Sequence, residues 1–247
     1  MSKGGYGTNE AMTGIKSPLL RKCIKFIYPP MPTLNIISKN NRETINRLIF
    51  DNDKILNIGS GADSGCGRWL WKNQATSNPK FINLDITIST VLSVQGDAHL
   101  LPLKDKSVDA VIMQALLEHV TSPSEVVKEA FRVLKPGGIL YVEVPFLQGF
   151  HADPHDYQRY TLPGLKVLLS DFEEIVSGVS VGPFCSFVWL IRDGFSSCFN
   201  NKMLFNLSRF LLAWILSPIR YFDYIARSNP SAERLANEFF FLCKKSS

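Results

Sequence analysis

The sequence lacks the patterns by which several classes of protein are recognised. Its five cysteines are scattered and odd in number, and no two of them form a Cys-x-x-Cys pair. This argues against a disulfide framework or a zinc site and favours a reducing compartment. The four histidines form no His-x-x-x-His pair on a predicted helix, and no apolar run reaches the ~18 residues that span a bilayer. We therefore expect a cytoplasmic protein without a bound metal.

The excess of positive over negative charge is also small. The chain has 27 Lys and Arg against 22 Asp and Glu, a net charge of +5, and no dense basic run. We therefore expect no nucleic-acid partner. A chain of 247 residues that is 45% hydrophobic fits one α/β domain with an appendage, or two small domains.

The most informative segment is residues 54–63, which read K-I-L-N-I-G-S-G-A-D. A short apolar strand runs directly into a Gly-Ser-Gly turn. Glycine tolerates positive φ and has no Cβ, so the backbone N–H groups of such a turn can approach a ligand closely. A helix that starts just after it would add a partial positive charge. Alone, this pattern is as often a plain turn as a nucleotide site.

Strand and helix patterns alternate along the first two thirds of the chain, which predicts an α/β fold with a doubly wound, mostly parallel sheet. The predicted strands are 54–59, 80–86, 91–94, 107–114, 139–144, 172–181 and 237–245, and the predicted helices are 41–50, 65–73, 122–134, 161–170 and most of 185–228. The predicted organisation is an N-terminal tail with a basic amphipathic segment (1–40), a core (41–182), a helical lid insertion (183–232) and a final core strand with a tail (233–247).

Acidic residues stand where a doubly wound sheet binds its ligands, at the carboxyl ends of the strands. Asp85 ends the second strand, and Asp97 with Ala98 follows the short third strand. A carboxylate in the first position can accept hydrogen bonds from both hydroxyls of a ribose, and one about a dozen residues on can accept from an adenine amino group. Either aspartate alone is better explained as a solvated turn residue. The glycine turn and the two aspartates together, at this spacing, favour a nucleoside ligand.

At this point the sequence resembles the class I S-adenosylmethionine-dependent methyltransferases. The resemblance covers roughly residues 45–182 and the last strand, and its segments are I-L-N-I-G-S-G (55–61), N-L-D-I (83–86), G-D-A-H-L-L-P-L-K-D-K-S-V-D-A-V (96–111), L-E-H-V (117–120) and E-A-F-R-V-L-K-P-G-G-I-L (129–140). It implies S-adenosylmethionine as the cofactor. It also implies an antiparallel C-terminal strand, which suits 237–245.

The resemblance also assigns residues to the cofactor. Gly59, Ser60 and Gly61 would lie against its methionine part, Asp85 with Ile86 at its ribose, and Asp97 with Ala98 at its adenine. Gln114, at the end of the fourth strand, would lie near the methyl-bearing sulfur.

Two departures from the family pattern affect the cofactor site. Asn57 stands where the family often has an acidic residue, and Ala62-Asp63 stands where it often has a third glycine. Asp63 would place a negative charge beside the cofactor's carboxylate. A nicotinamide-dependent dehydrogenase is disfavoured because position 64 is Ser, and a P-loop is excluded because no Gly-Lys-Ser/Thr follows the turn.

A polar, aromatic loop, F-H-A-D-P-H-D-Y-Q-R-Y-T at 150–161, follows the fifth strand. A histidine beside an aspartate suits a general base, so the candidate catalytic residues are His151, His155 and Asp153. Arg159 and Tyr160 are the candidate substrate-binding residues. The alternative, that Asp156, Arg159 and Tyr160 only pin the loop, is equally well supported. Similar loops occur in methyltransferases near sugar and polysaccharide pathways, which favours a glycan or small-molecule hydroxyl as acceptor and hence O-methylation.

The apolar segment 185–228 has three interpretations: a lid over the substrate pocket, an interfacial helix on anionic lipid, or a surface for an oligomer. In the second, segment 16–28 would be a further peripheral membrane contact and a glycolipid would suit as acceptor. Two other functions stay open. One is a cofactor-binding protein without catalysis that acts by interaction at a membrane, and the other is a protein or RNA methyltransferase.

Overall fold

The structure is a computed structural model of the chain. It describes residues 44–45, 47–48, 53–61, 80–88, 92–152, 154–226 and 229–246. The chain forms two compact units. The first, here called the sheet unit, comprises Ile37–Phe146, Tyr157–Ser180 and Glu238–Ser247, and the second, here called the helical unit, comprises Met1–Ile36, Leu147–Asp156 and Val181–Asn237.

Seven strands form one sheet in the order β3-β2-β1-β4-β5-β7-β6. The strands are β1 (Lys54–Ile58), β2 (Lys80–Asp85), β3 (Val94–Gln95), β4 (Val108–Gln114), β5 (Leu134–Pro145), β6 (Phe172–Val181) and β7 (Glu238–Lys245). Strands β1 to β5 pair in parallel, and β7 runs antiparallel to β5. The predicted α/β fold with an antiparallel C-terminal strand is confirmed.

The central strands are apolar because both of their faces are covered. In β1 every residue after Lys54 is buried, Asn57 included. Side chains two residues apart share a face of a strand, so alternate residues of neighbouring strands meet in one cluster. That cluster consists of Ile45, Ile55, Ala110, Ile112, Ile139, Tyr141, Phe240 and Leu242.

The sheet unit contains α1 (Pro123–Val133), α2 (Leu162–Leu168) and the 3-10 turn Leu117–His119. Residues 44–45 and 47–48, within the predicted helix 41–50, are also helical. Helix α1 is amphipathic and buries Val126, Val127, Ala130 and Val133. The Lys245 ammonium donates to the carbonyls of Phe131, at 2.6 Å, and Leu134, at 2.9 Å. A cation suits this position because the last carbonyls of a helix carry partial negative charge.

Strand β5 begins earlier than the sequence predicts. Leu134 pairs with Val108, and the register then shifts so that Ile139 pairs with Ala110. Gly137, with φ +74°, lies within this irregular stretch. Helix α1 ends at Val133, and Pro136-Gly137-Gly138, which the sequence predicts to stop it, lies beyond that end in a bulged stretch inside β5.

The helical unit contains α3 (Pro183–Ser196), α4 (Lys202–Leu216), α5 (Asp223–Ala226) and the 3-10 segments Ser217–Phe222 and Pro230–Leu235. The buried Asp223 carboxylate accepts hydrogen bonds from the Phe184 and Cys185 N–H groups, so it caps the first turn of α3. Asp193 forms ion pairs with Arg192 of its own helix and with Arg209 of α4. The predicted break near Pro218 corresponds to the 3-10 segment.

Several sequence predictions stay untested. The tail and amphipathic segment 1–40, the helix 65–73 and Asp153 lie outside the described residues. The predicted domain boundaries likewise stay a prediction. In the described part of the chain, no helix is both long and apolar enough to cross a membrane.

Candidate cofactor and acceptor site

The turn after β1 and the end of β2 are joined by a direct hydrogen bond. The Gly61 N–H donates to Asp85 Oδ2 at 2.9 Å, and the Gly59 N–H donates to the Leu84 carbonyl at 2.9 Å. Gly59 and Gly61 have φ values of +73° and +69°, in the left-handed region that glycine enters without strain. The structure therefore brings together the glycine turn and the first of the two predicted acids.

The two glycines differ in their surroundings. A Cβ on Gly59 would lie 2.8 Å from Leu116 Cδ1, whereas a Cβ on Gly61 would meet no described atom within 4 Å. Between them Ser60 is fully buried, and its hydroxyl has no hydrogen-bond partner among the described residues. A buried polar group without a partner calls for an explanation, and a polar ligand beside Gly61, where no described atom would meet a Cβ, would supply one.

Each carboxylate oxygen of Asp85 accepts one backbone N–H. Oδ2 accepts from Gly61, and Oδ1 accepts from the Thr87 N–H at 2.8 Å. An ionised carboxylate oxygen has a second acceptor position, so the group can still accept from ligand hydroxyls. The Ile86 side chain next to it is exposed, as expected for a residue that packs against a ligand.

Asp97 lies close to Asp85 along the same edge of the sheet, because the Gly96 N–H donates to the Asp85 carbonyl at 3.0 Å. Oδ1 of Asp97 accepts from the His99 N–H at 2.9 Å and contacts His99 Nδ1 at 2.6 Å. The hydrogen bond from the His99 backbone, and then the one from its ring, lower the pKa of Asp97 below its ordinary value. The adjacent Ala98 is buried.

The loop that carries Asp97 is fixed from helix α1. Arg132 donates to the carbonyls of Leu101 and Leu103 and to Asp105, while Glu129 Oε2 accepts from the Leu101 N–H. Glu129 in turn pairs with Arg132. One guanidinium thus holds the loop by several charge-assisted hydrogen bonds.

Gln114 lies at the end of β4, directly opposite Glu143 of β5 in the sheet register. Its amide donates to Glu143 Oε2, and the Tyr141 hydroxyl donates to Glu143 Oε1. Glu143 is buried, and two donors hold its carboxylate in place. The predicted cofactor residue Gln114 is therefore oriented by an acid that the sequence analysis did not single out.

Two more acids join Glu143 in the sheet unit. Glu238 of β7 pairs with Pro145, two residues from Glu143, so both side chains lie on one face of the sheet. Burial first, and then the charges of Glu143 and Glu118, raise the pKa of Glu238 from 4.5 to about 8. Glu118 itself is fully buried. Sequence analysis could have singled out Glu118, Glu143 and Glu238, because each is an ionisable residue in an apolar stretch of sequence.

The predicted catalytic histidines belong to the helical unit. The His151 N–H donates to Asp156 Oδ2 at 2.8 Å, and its Nδ1 lies 3.0 Å from the Gly149 carbonyl oxygen. A carbonyl only accepts, so this contact favours a proton on Nδ1. His155 is exposed.

Arg159 and Tyr160, the predicted substrate-binding residues, belong to the sheet unit, where their segment is bound to the turn at 117–120. Arg159 donates to the Gln158 carbonyl at 2.9 Å, and Gln158 Nε2 donates to the carbonyls of Leu117 and Val120. Burial, and then the charge of Glu118, raise the pKa of Tyr160, so its phenol stays neutral. Gln158, which the sequence analysis did not single out, thus fixes this segment together with Tyr160, whose N–H donates to the Pro145 carbonyl at 3.2 Å.

Comparison with known proteins finds similarity to methyltransferases over part of the chain. A family model described as "Methyltransferase domain" matches residues 63–142. A "Probable S-adenosylmethionine-dependent methyltransferase" of Mycolicibacterium smegmatis is 34% identical over 94 residues, which is 34% of this chain and 37% of that protein. A ubiquinone/menaquinone biosynthesis C-methyltransferase of Pasteurella multocida is 41% identical over 98 residues, 38% of this chain and 36% of that protein.

A solved structure shares the fold. The 1,6-didemethyltoxoflavin-N1-methyltransferase of Burkholderia thailandensis, with bound 1,6-didemethyltoxoflavin and S-adenosylhomocysteine, matches 86% of this chain and 80% of that one. The TM-score is 0.53 at 12% identity. The matches to the curated relatives span between 14% and 39% of those proteins' lengths.

Proposed function

We propose that the chain is a class I S-adenosylmethionine-dependent methyltransferase, with S-adenosylmethionine as its cofactor, and that it transfers a methyl group to an oxygen of a small-molecule or glycan-like acceptor. The similarity of residues 63–142 to a methyltransferase domain supports this proposal. The main observation in support of the proposal is the hydrogen bond from the Gly61 N–H to the Asp85 carboxylate. It places a left-handed glycine turn and a half-buried carboxylate together at the carboxyl edge of a mostly parallel sheet, where such folds bind their ligands.

The residues present fit the cofactor. Gly59, Ser60 and Gly61 would hold its methionine part, since the buried Ser60 hydroxyl and the open side of Gly61 supply a polar donor and room. Asp85 with Ile86 would hold the ribose, through the remaining acceptor positions of the carboxylate. Asp97 with Ala98 would hold the adenine. The lowered pKa of Asp97 keeps that carboxylate ionised and therefore an acceptor.

Gln114 would lie near the reacting sulfur, in a position fixed by Glu143 and Tyr141. S-adenosylmethionine supplies an electrophilic methyl group on a sulfonium that is a good leaving group. The task of the protein is then alignment, which contributes roughly 7–11 kcal/mol at best. A side chain whose rotamer is fixed by a buried acid suits that task.

A hydroxyl acceptor also benefits from a base, typically ~10²–10⁴-fold. Our candidate is His151, whose ring is held by the contact of its Nδ1 with the Gly149 carbonyl. Asp156 fixes its backbone. His155 and Asp153 stay further candidates on the same loop, and Arg159 with Tyr160 would bind the acceptor. The acid–base character of these side chains supports transfer to oxygen.

The test has two stages. Calorimetry should first show binding of S-adenosylmethionine and its demethylated product. Methyl-labelled cofactor should then transfer its label to a member of a panel of glycans and small hydroxyl compounds, with the product identified as an O-methyl ether by NMR. The variants His151→Ala and His155→Ala are measured for binding and for turnover separately. We expect one of them to lose turnover while cofactor affinity is unchanged. Full turnover in both would refute the role of the histidines as base.

A second candidate is transfer to carbon, which is favoured by the name of the Pasteurella multocida relative, a C-methyltransferase. A C-methyl product in the same NMR experiment would decide for it. Cofactor binding without transfer to any acceptor would instead favour a non-catalytic protein that acts by interaction.

A further inference from the structure

Helix α4 presents its apolar side away from the protein. Ala213 is its only buried residue, whereas six large apolar side chains are exposed: Met203, Leu204, Leu207, Leu211, Trp214 and Ile215. At about 100° per residue these six lie within an arc of roughly 120°. An ordinary surface helix has the reverse arrangement, with its apolar stripe directed at the core.

Helix α3 repeats the pattern. Its buried residues include Val188, Trp189 and Arg192. The exposed large side chains are Phe187, Leu190, Ile191 and Phe195, with the i, i+3, i+4, i+8 spacing of a single helix face. The following 3-10 segment and α5 add Tyr221, Phe222, Tyr224 and Ile225, which are also exposed. The exposed side chains of α3, α4, the 3-10 segment and α5 are here called the apolar face.

The charges of the same segment sum to a positive value. Residues 183–226 contain two acids and four basic residues. Asp223 is buried as the cap of α3, and Asp193 is paired with two arginines. Lys202 is exposed at the start of α4. Within 183–226, all of which is described, no carboxylate is exposed.

We propose that the apolar face binds the surface of an anionic lipid bilayer. Two helices with outward apolar stripes, no exposed carboxylate and an exposed lysine complement the interior and the charge of such a surface. Trp214, Tyr221 and Tyr224 are of the aromatic types enriched at the boundary between lipid and water. A helix of 15 residues suits a position in the plane of the interface. The proposal goes beyond the methyl transfer and does not depend on it.

The experiment is flotation of the full chain with vesicles of phosphatidylcholine alone, or of phosphatidylcholine mixed with phosphatidylglycerol. We expect binding to the mixed vesicles that weakens as salt is raised. The triple variant Leu207→Gln/Leu211→Gln/Ile215→Gln should bind at least tenfold more weakly, since burying even one such side chain is worth roughly a tenfold change. The matched control is Val167→Gln, an equally polar change at an exposed apolar residue of α2, and it should bind as the wild type does.

Sedimentation velocity without lipid completes the test, because a second copy of the chain is the rival occupant of the apolar face. A dimer that the triple variant dissociates would overturn the proposal. It would also be overturned by a wild-type chain that stays unbound to mixed vesicles at low salt, or by equal binding of the wild type and the triple variant. Unchanged cofactor affinity of the variant shows that the chain still folds.

Discussion

Replacing Asp85 with Asn is the most informative single change for the cofactor site. In the structure this carboxylate accepts the Gly61 and Thr87 N–H groups, at 2.9 Å and 2.8 Å, and in our proposal it also accepts the ribose hydroxyls. Asparagine keeps the shape and one acceptor oxygen, but it directs an NH₂ group at one of these donors. Hydrogen bonds to a charged group contribute about 1.5–3 kcal/mol each, and Asp85 is half-buried, so we take the lower end of that range.

A loss of about 2 kcal/mol corresponds to a dissociation constant roughly 30-fold higher. Isothermal titration calorimetry with S-adenosylhomocysteine measures it directly. The expected loss of folding stability is smaller, about 1 kcal/mol, because the Gly61 and Thr87 donors are close enough to the surface to bind water.

The matched control is Asp109→Asn. Asp109 is also half-buried and also accepts two donors, the Lys54 N–H at 2.9 Å and Lys135 Nζ at 2.6 Å, but it lies at the amino ends of β1 and β4. We expect this variant to lose stability while binding the cofactor as the wild type does. If Asp85→Asn binds within about threefold of the wild type, or if both variants weaken binding equally, the assignment of Asp85 to the ribose is wrong.

Three further predictions follow from single residues. Gly61→Ala should weaken cofactor binding more than tenfold and should also lower the free energy of unfolding by about 1 kcal/mol, because alanine is strained at positive φ. Gly137 has a similar φ, and a Cβ there likewise meets no described atom within 4 Å. Gly137→Ala should therefore lower the melting temperature without changing cofactor affinity. Glu238, whose pKa burial and Glu143 raise from 4.5 to about 8, keeps a proton that the unfolded chain releases above pH 4.5. Stability should therefore fall as pH rises through that window, and Glu238→Gln should flatten the curve of melting temperature against pH, while an unchanged slope would contradict the assignment. Arg132→Ala should lower the free energy of unfolding, measured in urea, by about 2 kcal/mol and should speed amide hydrogen exchange in the loop at 97–105. Unchanged exchange would show that the loop keeps its structure without the guanidinium.

Much of the sheet could be predicted because its strands are locally marked. The second strand, K-F-I-N-L-D, is an apolar run ended by a carboxylate, and the structure ends β2 at Asp85. Strand β6 was predicted with both of its ends correct, at Phe172 and Val181, because most of its apolar residues are β-branched. The location of the predicted cofactor residues could be predicted for the same reason, since each lies at or just after the end of a strand and the strand ends of a parallel sheet lie along one edge. Their role stays a prediction.

The remaining features depend on pairing between distant segments. Glu143 and Glu238 are nearly a hundred residues apart in sequence, and only the antiparallel register of β5 and β7 places them on one face. The early start of β5 was missed because Pro136-Gly137-Gly138 indicates a turn, while its place in a bulge depends on Leu134 pairing with Val108. The role of Gln158 depends likewise on carbonyls of the distant turn at 117–120.

The order of strands in the sheet has a consequence for how this half of the molecule is assembled during synthesis. Strand β7 lies between β5 and β6, yet the ribosome makes it last of the three, after the whole stretch from 182 to 237. Until residues 238–245 emerge, β5 offers an unpaired edge and β6 has no neighbour to join. Nascent chains stalled before Glu238 should therefore be sensitive to protease in β6 and prone to associate through the unpaired edge of β5. The sheet is then completed only after the last strand has been synthesised.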